Sequence, residues 1–129
     1  MSTDTTLVDE AAERLFGAIE RGDIAAVRDL WSEDVVVWKV ADRDRGKDQA
    51  SRVIEWFVGA TTTRRYEILD RQTFDGGFVQ QHILHANGHN GASIALRVCI
   101  VIKVGDDGLI GRIDEYFDPA EIDPLLPGA

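Results

Sequence analysis

The sequence has few residues that could cross-link or stiffen the chain, and no segment that could anchor it in a membrane. It holds a single cysteine, Cys99, and three prolines in 129 residues. One cysteine cannot form an internal disulfide, so the fold must depend on a hydrophobic core, which a chain of this length can bury. No apolar run approaches the length of a membrane span or of a signal-peptide core. We therefore expect one domain, covering residues 1–129, that resides in the cytoplasm and has no membrane partner.

Positive charge is also scarce. The chain has 14 lysines and arginines against 23 aspartates and glutamates, a formal net charge of −9. The densest basic stretch, residues 43–47, is interleaved with Asp42, Asp44 and Asp48. Binding to nucleic-acid phosphates requires clustered cations, so this pattern predicts a solvated loop and argues against a nucleic-acid partner.

Motifs for cofactors, metals and nucleophilic catalysis are missing as well. The sequence contains no phosphate-binding glycine loop, no serine nucleophile elbow and no paired-cysteine metal motif. His82 and His85 are three residues apart on a predicted strand and therefore point to opposite faces, which disfavours a shared metal ion. We expect neither a cofactor nor a metal site.

The front half of the chain favours helices. Gly22 is placed to end a first helix and Asp23 to cap a second, which residues 32–34 close. Asp118 and Pro119 predict a short last helix. Apolar residues at helical spacing mark three stripes: Val8, Ala12, Leu15 and Ile19; Ile24, Val27, Leu30 and Trp31; and Ala50, Val53, Ile54 and Phe57.

The rest of the chain favours β structure. β-Branched residues at 35–40 predict a first strand, and four more are predicted at 64–73, 78–86, 92–104 and 109–117, separated by glycine-rich turns. Strands joined by such short turns pair antiparallel. Helices followed by an antiparallel sheet are typical of an α+β domain in which the helices cover one face of the sheet.

The last predicted strand carries an acid on a face that is otherwise apolar. Ile113, Glu115 and Phe117 share one face by two-residue alternation, and Asp114 and Tyr116 lie on the other. A charge between apolar neighbours either points to solvent or lines a pocket in which it has a use. Glu115 is therefore the first candidate for a site residue.

Four short motifs stand out: residues 20–23 (ERGD), 30–35 (LWSEDV), 79–84 (VQQHIL) and 115–118 (EYFD). With the order of predicted elements, they resemble the nuclear transport factor 2-like superfamily, in particular its SnoaL-like, ketosteroid isomerase-like and limonene epoxide hydrolase-like members. The resemblance spans nearly the whole chain. It implies a curved antiparallel sheet wrapped around helices, a cone with an internal pocket of the cystatin-like α+β roll type.

The resemblance also implies roles for individual residues. In the epoxide hydrolases a carboxylate in the closing motif acts as acid or base, and Glu115 matches it. Their arginine and aspartate on an earlier strand correspond to Gln80 and His82 here, and their water-holding tyrosine and asparagine to Val37 and Lys39. The polar set of this chain therefore has a different chemistry.

Ketosteroid isomerase activity is not expected on the same resemblance. The general base of those enzymes falls at Lys39, and their two oxyanion donors fall near Leu15 and Ile100. None of these side chains supplies the corresponding group.

Lys39, Gln80, His82 and Glu115 are predicted to face one cavity. A histidine near a carboxylate is a workable general-base pair, so His82 and Glu115, with Lys39, are the catalytic candidates, and Gln80 is a candidate for substrate binding. Lys39 is either a desolvated proton acceptor or imine-forming nucleophile, or an anion anchor beside Glu115. The alternative is a structural Lys39–Glu115 ion pair with His82 as a satisfied buried residue.

The opposite face of the late strands suits an interface. This face is too apolar for a solvated surface and too polar for a core. It comprises Arg97, Cys99, Val101 and Lys103 on one strand and Gln81, Ile83 and His85 on its neighbour. Members of the superfamily commonly dimerise through this outer face, so the resemblance implies a symmetric homodimer. As a mid-strand residue, Cys99 is expected to be an inert, buried thiol.

Two functions remain open from the sequence. The first is a SnoaL-like domain that binds an apolar small organic ligand, cyclic ones included, and acts on it by acid/base chemistry of isomerase, cyclase or hydrolase type. The second is a non-catalytic dimeric domain that only binds its ligand. In both, Trp56 and Phe57 on the third helix are candidates for the pocket wall that contacts the ligand, or for core.

Overall fold

The computed structural model describes residues 5–126 and contains three α-helices. α1 spans Thr5–Arg21, α2 spans Ile24–Leu30 and α3 spans Lys47–Ala60. α1 ends as predicted, because Gly22 takes a left-handed φ of 71° that other residues disfavour. Asp23 then caps α2, since its carboxylate accepts a 3.0 Å hydrogen bond from the Ala26 N–H. Within the described residues, no helix has the length and apolar character needed to span a membrane.

Five strands form one sheet, in the order β1-β5-β4-β3-β2. The strands are β1 (Trp31–Lys39), β2 (Thr61–Phe74), β3 (Gly77–Gly88), β4 (Ser93–Val104) and β5 (Ile110–Tyr116). A 3-10 helix, Pro119–Leu125, follows β5 and is capped by Asp118 as predicted. The four later strands agree with the sequence prediction to within three residues at each end.

The start of β1 differs from the prediction. The sequence pattern assigns Trp31 to α2 and residues 32–34 to its closing turn, but the helix ends at Leu30 and the strand begins at Trp31. The register with β5 shifts between Trp31 and Val36, so an irregularity takes up the polar residues while Trp31 and Val35 both stay buried. The prediction was wrong because Trp31 also fits the helical spacing.

The sheet is antiparallel except at one edge. β2, β3, β4 and β5 pair antiparallel in chain order, as the short turns predict. β1 pairs parallel to β5, which makes the sheet mixed rather than wholly antiparallel. No short turn connects β1 to its neighbour, so the hairpin constraint does not fix its direction. The α+β fold class is confirmed.

Register shifts curve the sheet around the helices. They occur in β2 between Thr61 and Thr63 and between Ile68 and Asp70, and such irregularities bend and twist a strand. On β3 and β4 the inner face is buried in regular alternation with more exposed residues. The predicted stripe of α1 is buried in the same core. The sheet and helices leave an internal cavity, as expected of a cone.

Candidate functional site

The inner face of the sheet, α1, α3 and the 3-10 helix together line a cavity of about 130 Å³. Most of its wall is apolar, with contributions from Leu15, Phe16, Phe57, Leu96 and Ile100. An engineered apolar cavity of roughly 150 Å³ holds benzene, so a ligand with a single six-membered ring is the size that fits. Lys39, Tyr66 and Glu115 add polar atoms to this wall.

Lys39 and Glu115 form an ion pair on the cavity wall. Lys39 is the last residue of β1 and is paired directly with Glu115 on β5, so the two side chains leave the sheet on the same face. Lys39 Nζ lies 2.8 Å from Glu115 Oε1, and the side chains are 26% and 18% exposed. The structure therefore brings these two predicted residues together, partly shielded from water.

One oxygen of the Glu115 carboxylate, Oε2, accepts no hydrogen bond from the described residues, whereas Oε1 accepts from Lys39. Oε2 is not sealed from solvent either, since it is absent from the buried polar atoms that lack a partner. The backbone beside it is fixed, because the Val40 N–H donates a 3.0 Å bond to the Glu115 carbonyl. This oxygen can accept a proton from a bound molecule or from water.

Tyr66 on β2 is the third polar residue of the wall. Its ring packs at 4.8 Å from Phe16 and at 4.9 Å, edge to face, from His82. Burial raises the pKa of the Tyr66 phenol above its ordinary value, and the negative charge of Glu115 raises it further. The phenol therefore stays protonated at neutral pH and is a hydrogen-bond donor.

Sequence reasoning missed Tyr66. β2 is exposed along most of its length, so it shows no apolar face on which an inward polar residue would stand out. The register shift between Ile68 and Asp70 also breaks the alternation that assigns residues to faces. The one usable signal is an aromatic residue among the polar residues of the first half of the strand, 61–67.

Gln80 and His82 lie on the predicted face of β3 but behind the cavity wall. They are 0% and 1% exposed. Gln80 Nε2 lies 2.8 Å from His82 Nδ1, while His82 Nε2 has no hydrogen-bond partner among the described residues. The rings of Phe16 and Tyr66 pack against His82 and themselves line the cavity. No hydrogen bond joins His82 to Glu115, so the expected general-base pair is not assembled.

The environment of His82 keeps its imidazole neutral. Burial lowers the pKa of His82 to about 4, because removal from water penalises the imidazolium. Glu115 raises this pKa in part, and the charge of Arg71 lowers it. A group with this pKa is a weak base near neutral pH, which argues against the general-base role that the sequence suggested for His82.

The remaining predicted residues separate as the alternation requires. Trp56 and Phe57 both line the cavity from α3, with Trp56 39% exposed at its rim. On the outer face, Arg97 donates a 3.3 Å hydrogen bond to Gln81, and Cys99 is free and half-buried rather than buried. Between residues 5 and 126, no group of three His, Cys, Asp or Glu side chains is arranged to hold a metal ion.

Comparison with known proteins identifies relatives by sequence and by fold. Residues 12–113 match the family model of the SnoaL-like domain. No curated protein matches the chain. Among solved structures, an LEH-like epoxide hydrolase of M. tuberculosis has a TM-score of 0.78 at 20% identity, with 95% of this chain and 90% of that chain covered.

Two further structures share the fold. PrhC from Penicillium brasilianum has a TM-score of 0.82 at 17% identity, with 93% of this chain and 85% of that chain covered. The epoxide hydrolase/cyclase-like enzyme SalBIII, of pyran ring formation in the polyether salinomycin, has a TM-score of 0.79 at 14% identity, with 92% and 95% covered. At these identities the likeness concerns the fold alone.

Proposed function

The chain belongs to the family of SnoaL-like domains, and on that premise we propose that it binds a small apolar molecule and transfers a proton on it, with Glu115 as the acid or base. The observation that carries this proposal is the Lys39–Glu115 pair, a charged group on an otherwise apolar wall. Keeping charges out of water costs free energy, and such groups cluster at functional sites. The chemistry is of isomerase, cyclase or hydrolase type and needs no cofactor.

Glu115, Lys39 and Tyr66 have separate roles in the proposed reaction. Oε2 of Glu115 takes a proton from a carbon next to a carbonyl, or from a water, and returns it to another position of the ligand. The Lys39 ammonium stays at Oε1 as the counter-charge. The Tyr66 hydroxyl donates a hydrogen bond to the ligand oxygen on which negative charge develops. Glu115 returns one proton for each proton that it removes, and while the proton is on Oε2 it can exchange with solvent. No oxidant or reductant is involved.

The wall determines what kind of ligand is expected. Phe57 supplies apolar surface inside the cavity, and Trp56 at the rim covers the part of a ligand nearest to solvent. Pockets with apolar walls and a few convergent polar groups are typical small-molecule sites. We propose a neutral, oxygen-bearing ligand with about one ring in the cavity.

A binding role without catalysis is the second candidate. The small volume of about 130 Å³ and the lack of a hydrogen bond between His82 and Glu115 both favour it. In that case the Lys39–Glu115 pair is structural and Trp56 and Phe57 only hold the ligand. Dimerisation through the outer sheet face and a cytoplasmic location belong to both candidates and stay proposals.

The experiment that separates the candidates is hydrogen exchange on small ketones. Cyclohexanone and related one-ring ketones, incubated with the protein in D₂O, are followed by NMR for exchange at the carbons next to the carbonyl. Proton transfer by the protein predicts exchange above the buffer rate that saturates with ketone. Saturable binding with exchange at the buffer rate supports the binding role and contradicts catalysis.

A further inference from the structure

Hydrogen-bonded polar side chains connect the protein surface to His82, and we call this series, Glu13–Arg71–Gln80–His82, the relay. Arg71 on β2 donates from Nη1 to Glu13 of α1 at 2.8 Å and from Nε to Gln80 Oε1 at 2.7 Å. Gln80 Nε2 then lies 2.8 Å from His82 Nδ1. The Arg71 guanidinium also sits 5.8 Å from the centre of the Phe78 ring. Glu13 is exposed, whereas Gln80 and His82 are buried, so the relay crosses the wall between solvent and core.

The Arg71 guanidinium determines the orientation of the Gln80 amide and, through it, the tautomer of His82. A guanidinium only donates, so the Gln80 atom that faces Arg71 must be the carbonyl oxygen. The Gln80 amide group that faces His82 is then the NH₂ group, which also only donates. The opposite amide orientation would place two N–H donors 2.7 Å apart. Nδ1 of His82 must therefore accept, and the imidazole proton must reside on Nε2.

The resulting Nε2–H group is a buried donor without a partner. It is one of three such buried side-chain atoms in the described part of the chain. A buried donor left unpaired costs free energy, so its persistence in a fold favours an acceptor that arrives with the ligand. Two rings that pack against His82, those of Phe16 and Tyr66, also line the cavity. Their centres lie 4.8 Å apart, so an acceptor that reaches Nε2 from the cavity must displace one of them.

We propose that Arg71 and Gln80 are positioning residues that hold His82 as the neutral Nε2–H tautomer, and that this N–H donates a hydrogen bond to an oxygen acceptor of the bound ligand. His82 is then a fixed donor and not the base. In naming a ligand oxygen we rely on the proposed function, whereas the tautomer depends on the hydrogen bonds of the relay alone. The ligand class is a neutral molecule with a ketone, ether or epoxide oxygen.

The tautomer is tested in the ligand-free protein. Long-range ¹H–¹⁵N NMR of the histidine rings at neutral pH distinguishes a protonated ring nitrogen from an unprotonated one, and the chain has only three histidines. We expect an unprotonated Nδ1 and a protonated Nε2 in His82. Gln80→Glu replaces the NH₂ group by an acceptor while Arg71 keeps a partner, so the proton should move to Nδ1. Gln49→Glu makes the same change at an exposed position of α3 and should leave His82 unchanged.

Two results overturn the relay: a proton on Nδ1 in the unaltered protein, or an unchanged tautomer in folded Gln80→Glu. If Gln80→Glu does not fold, the spectrum of the unaltered protein decides. The ligand contact is tested with cyclohexanone against cyclohexane, a ring of similar size without oxygen. Cyclohexanone should shift the His82 Nε2 signal and cyclohexane should not.

Different results with the ketone contradict the ligand contact of His82 and the proposed catalysis. A ketone that moves resonances of the cavity wall but leaves His82 Nε2 in place overturns the ligand contact. A ketone that moves His82 Nε2 but exchanges no protons contradicts the proposed catalysis and supports the contact. A ketone that moves no resonance of the wall contradicts the ligand contact and the proposed site together, and the tautomer is then judged from the ligand-free spectra.

Discussion

Lys39 Nζ donates a 2.8 Å hydrogen bond to Glu115 Oε1 from the position directly paired with it across the parallel β1–β5 edge of the sheet. The two residues are 76 positions apart in sequence, so the pair exists only when β1 docks beside β5. Because the strands are parallel and in this register, both side chains leave the sheet toward the cavity. The candidate site is therefore a product of the one strand pairing that no hairpin enforces.

The strength of this ion pair is measurable by a double-mutant cycle. Lys39→Met keeps the aliphatic stem and removes the ammonium, and Glu115→Gln removes the opposite charge. Because the pair is partly shielded, its coupling should lie between that of exposed pairs and the roughly 3–5 kcal/mol cost of breaking a buried one, at about 1–2 kcal/mol. Urea unfolding of the two single variants and the double variant gives this coupling. A value near zero would show that the pair is solvated and contributes nothing.

His82 should make the stability of the protein depend on pH. Its pKa is about 4 in the folded state, against an ordinary value of 6.5 for a solvated histidine, so the unfolded chain takes up the proton first as pH falls. Stability contributed by the neutral ring is complete above pH 6.5 and is lost as pH falls toward 4, by up to about 3 kcal/mol at 1.36 kcal/mol per pKa unit.

The contribution of His82 is the difference in pH dependence between the unaltered protein and His82→Gln. Unfolding free energies between pH 7 and pH 4 should fall less steeply in His82→Gln than in the unaltered protein, since glutamine does not titrate. His85→Gln removes a half-buried histidine on the outer face and serves as the control. Parallel pH profiles for the unaltered protein and His82→Gln would contradict the assignment.

Removal of the Tyr66 hydroxyl should weaken function without weakening the fold. No residue between 5 and 126 forms a hydrogen bond with this hydroxyl, so Tyr66→Phe breaks no contact and should leave thermal unfolding unchanged. A neutral hydrogen bond to the ligand is worth about 0.5–1.5 kcal/mol, so ketone affinity or exchange rate should fall roughly 3- to 10-fold. Calorimetric titration and the exchange assay measure both. Unchanged affinity and exchange rate in Tyr66→Phe would contradict a hydrogen bond from Tyr66 to the ligand.

Alternation within strands was the most informative pattern in the sequence. It placed Glu115 on the inner face with Ile113, and it placed Gln81 and Arg97 on the outer face, as the structure has them. Alternation assigns a face but not a depth. Gln80 and His82 are on the correct face yet lie behind the rings of the wall, because depth depends on how α1 and β2 pack above them.

Long-range pairing was beyond the sequence. No local pattern states that β1 lies beside β5 or in which direction, since the turns that determine the other pairings are absent there. The same limit hid Tyr66 and the Arg71 relay, because both depend on a register shift in β2 that is set by its partner strand. The Gly22 helix end and the Asp23 and Asp118 caps were confirmed, because each depends only on residues close together in the sequence.

The outer sheet face predicts a homodimer. Tyr116 is 48% exposed there and packs against Trp38 at 5.1 Å, which leaves aromatic surface open to a second copy. Sedimentation at micromolar concentration should give twice the chain mass of 14.3 kDa. Val101→Glu on this face should shift the mass toward the monomer, whereas Leu126→Glu, an exposed leucine after the 3-10 helix, should not. A monomer mass for the unaltered protein would refute the dimer.

We propose that Glu115 moves a proton on the ligand, and the exchange rate of a bound ketone in Glu115→Gln measures that role. Glutamine keeps the size of the side chain and its hydrogen bonding but has no titratable proton. Glu55→Gln, the same change at an exposed position of α3, is the matched control. We predict that Glu115→Gln still binds cyclohexanone but exchanges its protons roughly 100-fold or more slowly, while Glu55→Gln exchanges at the unaltered rate. Equal exchange in Glu115→Gln and the unaltered protein would contradict the assignment of Glu115 as the acid or base.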